Sequence, residues 1–409
     1  MTVERVAMLS VHTSPLAQPG TGDGGGMNVY VRSLGSALAR AGVACDVFTR
    51  FDHPALSAVV EVEPGFRVVH IDAGPRVPIP KRALPGLVDE FAVAARQHMG
   101  DAGDRYDALH ANYWISGAVG HKLKHDLDLP LVATFHTLAR VKAEAGVDDD
   151  PAERTRVEGE VVRCADLMVA ATDDERLTLV AEYGAEPDRV EVIPPGVDHS
   201  IFFPADAAAA RGRLSLPADR PVLLYVGRIQ PLKGADLAVR ALASLTDPQA
   251  ELVVVGGPSG PEGATEVTRL HELADELGVA GRVRWVDPQP HAALADYYRA
   301  ADVCLVPSRS ESFGLVALEA AACGTPVVAS NVGGLRSLVD HGHTGFLVDG
   351  RDAADYAAHV ERLLTHRSFA EEVGVSAAAR SGRYTWSITA ARLRRLYADL
   401  SARTLVQCT

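Results

Sequence analysis

The chain has 409 residues, 47% hydrophobic and 23% charged, the balance of an ordinary soluble globular protein with room for two or three domains. A formal net charge of −13 excludes a nucleic-acid backbone as a general partner, so an anionic ligand must be met by local basic groups. Met1–Arg5 is charged and runs into a strand-like segment, with no apolar stretch of signal-peptide type and no run of about 18 apolar residues. The expectation is a cytoplasmic protein without a membrane anchor.

In chain order, Arg5–His12, Ala44–Thr49, Arg67–Ile71, Ala108–Ala111, Leu131–Phe135, Leu167–Ala171 and Val190–Ile193 read as buried strands, with helical patterns such as Val29–Ala41 and Trp114–Leu127 between them. The pattern pauses at Pro194-Pro195-Gly196 and resumes with Pro221–Val226, Leu252–Val255, Arg282–Val286, Val303–Val306, Pro326–Ala329 and Gly345–Val348. Apolar strands without clean alternation, separated by helices, predict parallel sheets covered on both faces. The expected fold is α/β, with two doubly wound Rossmann-like domains facing each other across a cleft. The expected boundaries are 1–200, 201–385 and a C-terminal segment 386–409, whose helical Trp386–Ala402 would cross back towards the first domain. Five cysteines (Cys45, Cys164, Cys304, Cys323 and Cys408) show no CxxC and no metal-ligand spacing, which favours separate thiols over disulfides or zinc.

Ligands of such sheets bind beyond the carboxyl ends of the strands, and the unusual residues fall there. After the first strand, His12 leads into a Gly/Pro-rich loop through Gln18, Pro19, Asp23, Gly24, Gly25, Gly26, Met27 and Asn28, and a helix follows. Glycines let backbone amides approach a ligand and the helix N-terminus favours negative charge, so a diphosphate or a sugar beside one is the expected guest. The spacing Gly20-x-Gly22-x-x-Gly25 is a weak dinucleotide signal, and the strand at Ala44–Thr49 lacks the acidic end that NAD requires. In the second half, Arg228 and Lys233 lie in a Gly-flanked loop between strand and helix, suited to clamp a diphosphate and stabilise it as it leaves. Glu311 follows another strand, and Glu319 stands in an apolar helix where a carboxylate needs a partner such as a pair of sugar hydroxyls. His136 ends the Leu131–Phe135 strand as a further site candidate, although a histidine is more often a satisfied structural residue.

These motifs resemble the retaining GT-B glycosyltransferases of family GT4 over essentially the whole chain. Glu311-Ser312-Phe313-Gly314-Leu315 through Glu319 is similar to that family's E-x7-E signature, and Gly227-Arg228 with Lys233 to its diphosphate clamp. Ser10-Val11-His12-Thr13-Ser14-Pro15, Gln18 through Asp23 and Gly25 through Asn28 resemble members that transfer N-acetylglucosamine from UDP-N-acetylglucosamine to 1D-myo-inositol 3-phosphate in mycothiol biosynthesis. The resemblance implies that Gln18, Pro19, Gly26, Arg228, Lys233, Gln289, Glu311 and Glu319 bind the donor. It implies an acceptor site of His12, Asp23 through Asn28, Lys81, Tyr113, Thr137 and Arg156, with Lys81 and Arg156 holding the phosphate. By its residues alone, Arg156 reads as a solvated helix residue in the charged stretch 148–156. The chain departs from those members at Gly74–Pro80, at Ala111-Asn112 before Tyr113, and at Gln289, which stands in place of an arginine. Phe135-His136-Thr137-Leu138 is instead similar to sucrose-phosphate-synthase-like relatives, so another sugar-phosphate acceptor is the alternative.

The implied chemistry is front-face transfer with retention, in which Arg228, Lys233 and Glu311 act at the reacting groups and His136 orients the sugar rather than acting as base. Domain closure is expected to exclude water. No DxD-type metal site follows a strand, and residues 148–150 read as a solvated loop. Catalysis is expected to need no cofactor or metal, while the resemblance allows a structural Mg held by backbone atoms near Tyr298, Arg299 and Ala301. A homodimer stays open. A nucleotide-sugar epimerase would not need a second phosphate pocket, and a non-catalytic sugar-binding protein would not need Arg228, Lys233, Glu311 and Glu319 together.

Overall fold

The computed structural model describes residues 3–101, 103–146, 153–260 and 262–408; the stretch 148–150, expected as a solvated loop, lies outside the described residues. The chain divides into two compact units. The first is Met1–Ala17, Met27–Gly196 and Trp386–Thr409, and the second is Gln18–Gly26 and Val197–Thr385.

The first unit holds strands β1 (Arg5–Leu9), β2 (Ala44–Arg50), β3 (Val59–Glu63), β4 (Phe66–Ile71), β5 (Ala108–Asn112), β6 (Leu131–Thr134), β7 (Leu167–Ala170) and β8 (Val190–Val192), in the sheet order β3-β4-β2-β1-β5-β6-β7-β8. β1 sits in parallel register between β2 (Arg5 opposite Ala44) and β5 (Val6 opposite Ala108). Successive side chains leave opposite faces, so Ala7 and Leu9 join one apolar cluster with Phe91, Trp114 and Val119, while Val6 and Met8 join another with Tyr30, Leu34 and Val47. Burial on both faces is why these strands are near-continuous apolar runs. The Trp386–Leu400 helix places Trp386, Ala390, Leu393, Tyr397 and Leu400 in the second of those clusters. By its contacts it belongs to the first unit.

The second unit has β9 (Val222–Val226), β10 (Glu251–Val255), β11 (Val283–Val286), β12 (Val303–Val306), β13 (Val327–Ser330) and β14 (Gly345–Val348), all parallel, in the order β11-β10-β9-β12-β13-β14. Each sheet therefore has a point where the strand order turns outward in both directions, between β1 and β5 in the first unit and between β9 and β12 in the second. Crevices beyond the strand ends open at such points.

Three expectations are corrected. The first strand stops at Leu9, so His12 lies in the loop beyond it. β3 was not expected; it is a short, partly exposed edge strand antiparallel to β4, with a register shift between Glu61 and Glu63. The cysteines are not all separate: Cys164 and Cys408 are joined as a disulfide with a Cα–Cα distance of 5.1 Å, while Cys45, Cys304 and Cys323 are free and buried.

Candidate active site

In the second unit, charge gathers in the loops that leave β9 and β12. The β9 loop carries Arg228 and Lys233 ahead of the Ala235–Ser244 helix, and the β12 loop carries Glu311 ahead of the Leu315–Ala322 helix. Lys233 Nζ donates to Glu311 Oε2 at 2.7 Å, and Ser308 Oγ donates to the same oxygen at 3.2 Å. With side chains only 23% and 17% exposed, this pair is shielded from water and couples more strongly than a surface ion pair. The Gly334 amide donates to the Glu311 carbonyl at 2.8 Å, and a Cβ on Gly333 would fall 2.1 Å from that oxygen. Only glycine lets the two loops lie so close.

The glycine-rich segment meets the other cation. A Cβ on Gly25 would stand 3.2 Å from Arg228 Nε, so the missing side chain is what lets the backbone lie against the guanidinium. Arg228 Nη1 also donates to Ser259 Oγ at 3.3 Å. Gln18 Nε2 donates to the Pro288 carbonyl at 2.8 Å, next to half-buried Gln289, whose own Nε2 donates to Asp287 O at 2.9 Å. A Cβ on Gly26 would touch Leu315 at 3.4 Å, while Pro19 is half-buried and Asp23 exposed.

Glu319 is buried, and its partners come from within the unit. His291 Nε2 lies 2.6 Å from Oε1 and Tyr298 OH donates to Oε2 at 2.8 Å. Burial and the adjacent carboxylate push the Tyr298 hydroxyl well above its ordinary value, so it keeps its proton and donates. His291 was not singled out from sequence, and Tyr298 only for its backbone, since no motif marks either side chain. The Tyr298 carbonyl, among the backbone groups offered to Mg by the resemblance, accepts from Thr325 Oγ1 at 2.6 Å and from the Ala301 amide at 3.2 Å.

In the first unit, two adjacent strands end on left-handed non-glycine residues, Tyr113 after β5 (φ 78°) and His136 after β6 (φ 63°). Such conformations cost on the order of 1–3 kcal/mol each and persist where surrounding packing fixes them. The His136 ring lies edge-on to Tyr30 at 4.7 Å, and its Nε2 is 3.0 Å from Asn112 Oδ1. Because Asn112 Nδ2 points to the His110 carbonyl, Oδ1 accepts and His136 Nε2 carries the proton. Desolvation, with His110 nearby, drives the imidazole down to about 3, so it is neutral near pH 7 and a poor proton acceptor.

Tyr113 is the centre of a second group. Its ring lies 4.5 Å from that of His12, and Lys81 Nζ and the Arg154 guanidinium approach it at 4.7 and 4.8 Å. Arg154 Nη1 donates to Tyr113 OH at 3.1 Å, and Nη2 donates to Thr137 O and Oγ1 at 2.6 and 3.0 Å. Arg154 is held by Glu158 at 2.7 Å, both side chains being 0% exposed, and Glu158 also accepts from Tyr183 OH at 2.6 Å. Asn28 ties the helix start to the β1 loop through Thr13 Oγ1 at 2.9 Å and Ser14 O at 2.6 Å, with Met27 half-buried beside it. The structure thus brings together His12, Lys81, Tyr113 and Thr137 of the expected acceptor residues. Arg156 is instead exposed and pairs with Glu153 and Glu160, and Arg154, absent from the sequence expectation, stands against Tyr113 and Thr137. The signal for it lies in spacing: Arg154, Val157, Glu158 and Val161 share the buried face of the Glu153–Cys164 helix.

Two family models match the chain, "Glycosyltransferase Family 4" over residues 24–201 and "Glycosyl transferases group 1" over residues 206–380. The chain is 48% identical over 404 residues to "D-inositol 3-phosphate glycosyltransferase 2" of Catenulispora acidiphila, covering 96% of this chain and 94% of that one. It is 47% identical to "D-inositol 3-phosphate glycosyltransferase" of Thermobispora bispora, covering 98% and 96%. Among solved structures, sucrose-phosphate synthase of Thermosynechococcus elongatus superposes with a TM-score of 0.92 at 37% identity, covering 98% and 100%. Anabaena HepE in complex with UDP and glucose shares the fold at a TM-score of 0.77 and 21% identity, covering 97% and 100%. The chain belongs to glycosyltransferase family 4, with the two Rossmann-like units of the GT-B class. It is accordingly a sugar-transferring enzyme, and among its described residues no helix is long and apolar enough to cross a membrane.

Proposed function

We propose that this enzyme transfers N-acetylglucosamine from UDP-N-acetylglucosamine to 1D-myo-inositol 3-phosphate with retention of anomeric configuration, the reaction that opens mycothiol biosynthesis. The observation that carries the reading is the shielded Lys233–Glu311 pair beside Arg228 at the switch point of the second sheet, where a nucleotide diphosphate meets fixed positive charge. As UDP departs, Arg228 and Lys233 neutralise the growing phosphate charge, which is the main stabilisation the transition state needs. Glu311 orients Lys233 and accepts from sugar hydroxyls, and Glu319, held by His291 and Tyr298, has lone pairs left for a ribose. His136, neutral and presenting a tautomer fixed by Asn112, positions the sugar. A donor phosphate oxygen takes the acceptor hydroxyl's proton, on the face from which UDP leaves.

In the first unit, the resemblance assigns the acceptor phosphate to Lys81, which lies over Tyr113, and to Arg156, which is exposed and paired with Glu153 and Glu160; Tyr113 and Thr137, aligned by Arg154, complete the acceptor site. The names of relatives 47–48% identical over nearly the whole chain support inositol phosphate. The Phe135–Leu138 sequence and the 37% identity to sucrose-phosphate synthase favour, as a second reading, a different sugar phosphate. Steady-state kinetics of Lys81→Ala and Arg156→Ala test the acceptor assignment. Each is expected to raise the acceptor KM at least tenfold while leaving the donor KM unchanged. Unchanged acceptor KM in both variants would remove phosphate recognition from these two residues.

A further inference from the structure

The Trp114–Leu127 helix begins beside Tyr113, and its far end carries a group that the proposed sugar transfer does not use. His121 and His125 are one helical turn apart, so their rings share a face. Against that face stand Cys164, the last residue of the Glu153–Cys164 helix, and Cys408, 244 residues further along the chain. The four potential ligand atoms all lie within 4.8 Å of one another. His125 Nε2 is 3.0 Å from Cys408 Sγ and 3.4 Å from Cys164 Sγ, and His121 Nε2 is 3.8 Å from Cys408 Sγ.

We propose that His121, His125, Cys164 and Cys408 form a tetrahedral binding site for a thiophilic divalent cation, with Zn2+ as its natural occupant. Around such an ion, with bonds of about 2.3 Å to sulfur and 2.0–2.1 Å to nitrogen, neighbouring S and N atoms lie roughly 3.5 Å apart. The three observed S···N separations bracket that spacing. A disulfide gives no reason for two imidazole Nε2 atoms to converge on its sulfurs, since sulfur is a weak acceptor; a metal gives one. Two thiolates and two neutral imidazoles also balance the charge of a divalent ion. The Cys164–Cys408 bond seen here is the oxidised form of the same pair. The metal takes the reduced form, and the two thiol protons pass to solvent as the thiolates bind.

Four protein ligands leave no open position, so the role is structural. The two histidines of the site lie about 12 and 18 Å along the helix from Tyr113, at about 1.5 Å per residue. It would clip the C-terminal tail at a corner where Asp166 already accepts from the Val406 amide at 2.7 Å and pairs with buried Lys124 at 2.8 Å.

The test uses the full-length chain, reduced and then freed of reductant under anaerobic conditions, titrated with Co2+ alone and separately with Zn2+. The expected result is one ion per chain, with the visible absorption of tetrahedral thiolate-bound Co2+, displaced by Zn2+. Affinity should fall at least tenfold in Cys408→Ser and in the His121→Ala/His125→Ala double variant, both of which alter exposed or half-exposed positions and leave the core intact. Failure of the reduced wild-type chain to bind Co2+ or Zn2+ would overturn the proposal, leaving a disulfide pair only. Undiminished binding in the double histidine variant would overturn it equally.

Discussion

Lys233 and Glu311 hold one another at 2.7 Å with most of both side chains out of water, so each sets where the other's charge sits. Lys233→Ala removes a cation that acts on the departing diphosphate and leaves Glu311 unpaired. The expected outcome is a kcat lower by on the order of 10²–10³, the size seen when one such stabilising donor is removed, with the acceptor KM unchanged. Stopped-time assays of UDP release measure it. Arg154 and Glu158 form the other decisive pair, fully buried under Tyr113 and Thr137. Arg154→Ala strands the Glu158 charge, and breaking a buried pair in this way costs about 3–5 kcal/mol, readable as a shift of the urea midpoint. Replacing both partners by apolar residues should recover much of that loss. The sequence displayed Arg228, Lys233 and Glu311 because glycines and strand ends frame them. It hid Arg154 inside a charged run, where only the helical spacing with Val157 and Val161 distinguishes the buried arginine from exposed Arg156.

At the level of elements, strand ends carry the site and helix starts organise it. The Asp173–Tyr183 helix, which follows β7, begins with Thr172 Oγ1 accepting from the Glu175 amide at 3.2 Å, and Glu175 Oε2 accepts in return from the Ala171 amide at 2.7 Å. This is close to a capping box. Burial pushes the Glu175 carboxyl up to about 7 despite that hydrogen bond. Its neutral form is therefore the one the fold favours: the stability tied to its protonation is full below the unfolded value near 4.5 and is lost as pH rises to 7. Glu175→Gln keeps an acceptor without the charge. Thermal melts should show the variant gaining on wild type between pH 5 and pH 8 by up to about 3 kcal/mol, at 1.36 kcal/mol per pKa unit. A constant difference across that range would contradict the assignment. Among the described residues, thirteen of the fourteen strands were legible as buried apolar runs. β3 was not, because its side chains stay half in water and its antiparallel pairing with β4 needs no apolar face.

For the whole molecule, composition and the alternation of strands and helices were enough to foresee two doubly wound units, since parallel sheets demand apolar strands and helical crossovers. The helix expected to cross back towards the first domain does pack into the first unit, as Trp386–Leu400. Sequence order could not foresee that Cys164 and Cys408 meet, since that follows from tertiary contacts between distant segments. Charge-bearing loops identified the chemistry more firmly than the substrates, because diphosphate recognition rests on a few fixed cations whereas an acceptor is selected by the shape of a whole crevice. The most direct measurement is therefore mass-spectrometric analysis of purified enzyme incubated with UDP-, GDP- and ADP-sugars against 1D-myo-inositol 3-phosphate and other phosphorylated polyols and hexoses. The expected product is one N-acetylhexosamine heavier than inositol phosphate, formed only with UDP-N-acetylglucosamine and matched by equimolar UDP, with retained configuration by NMR. Epimerised donor, or no transfer to any phosphorylated acceptor, would contradict it.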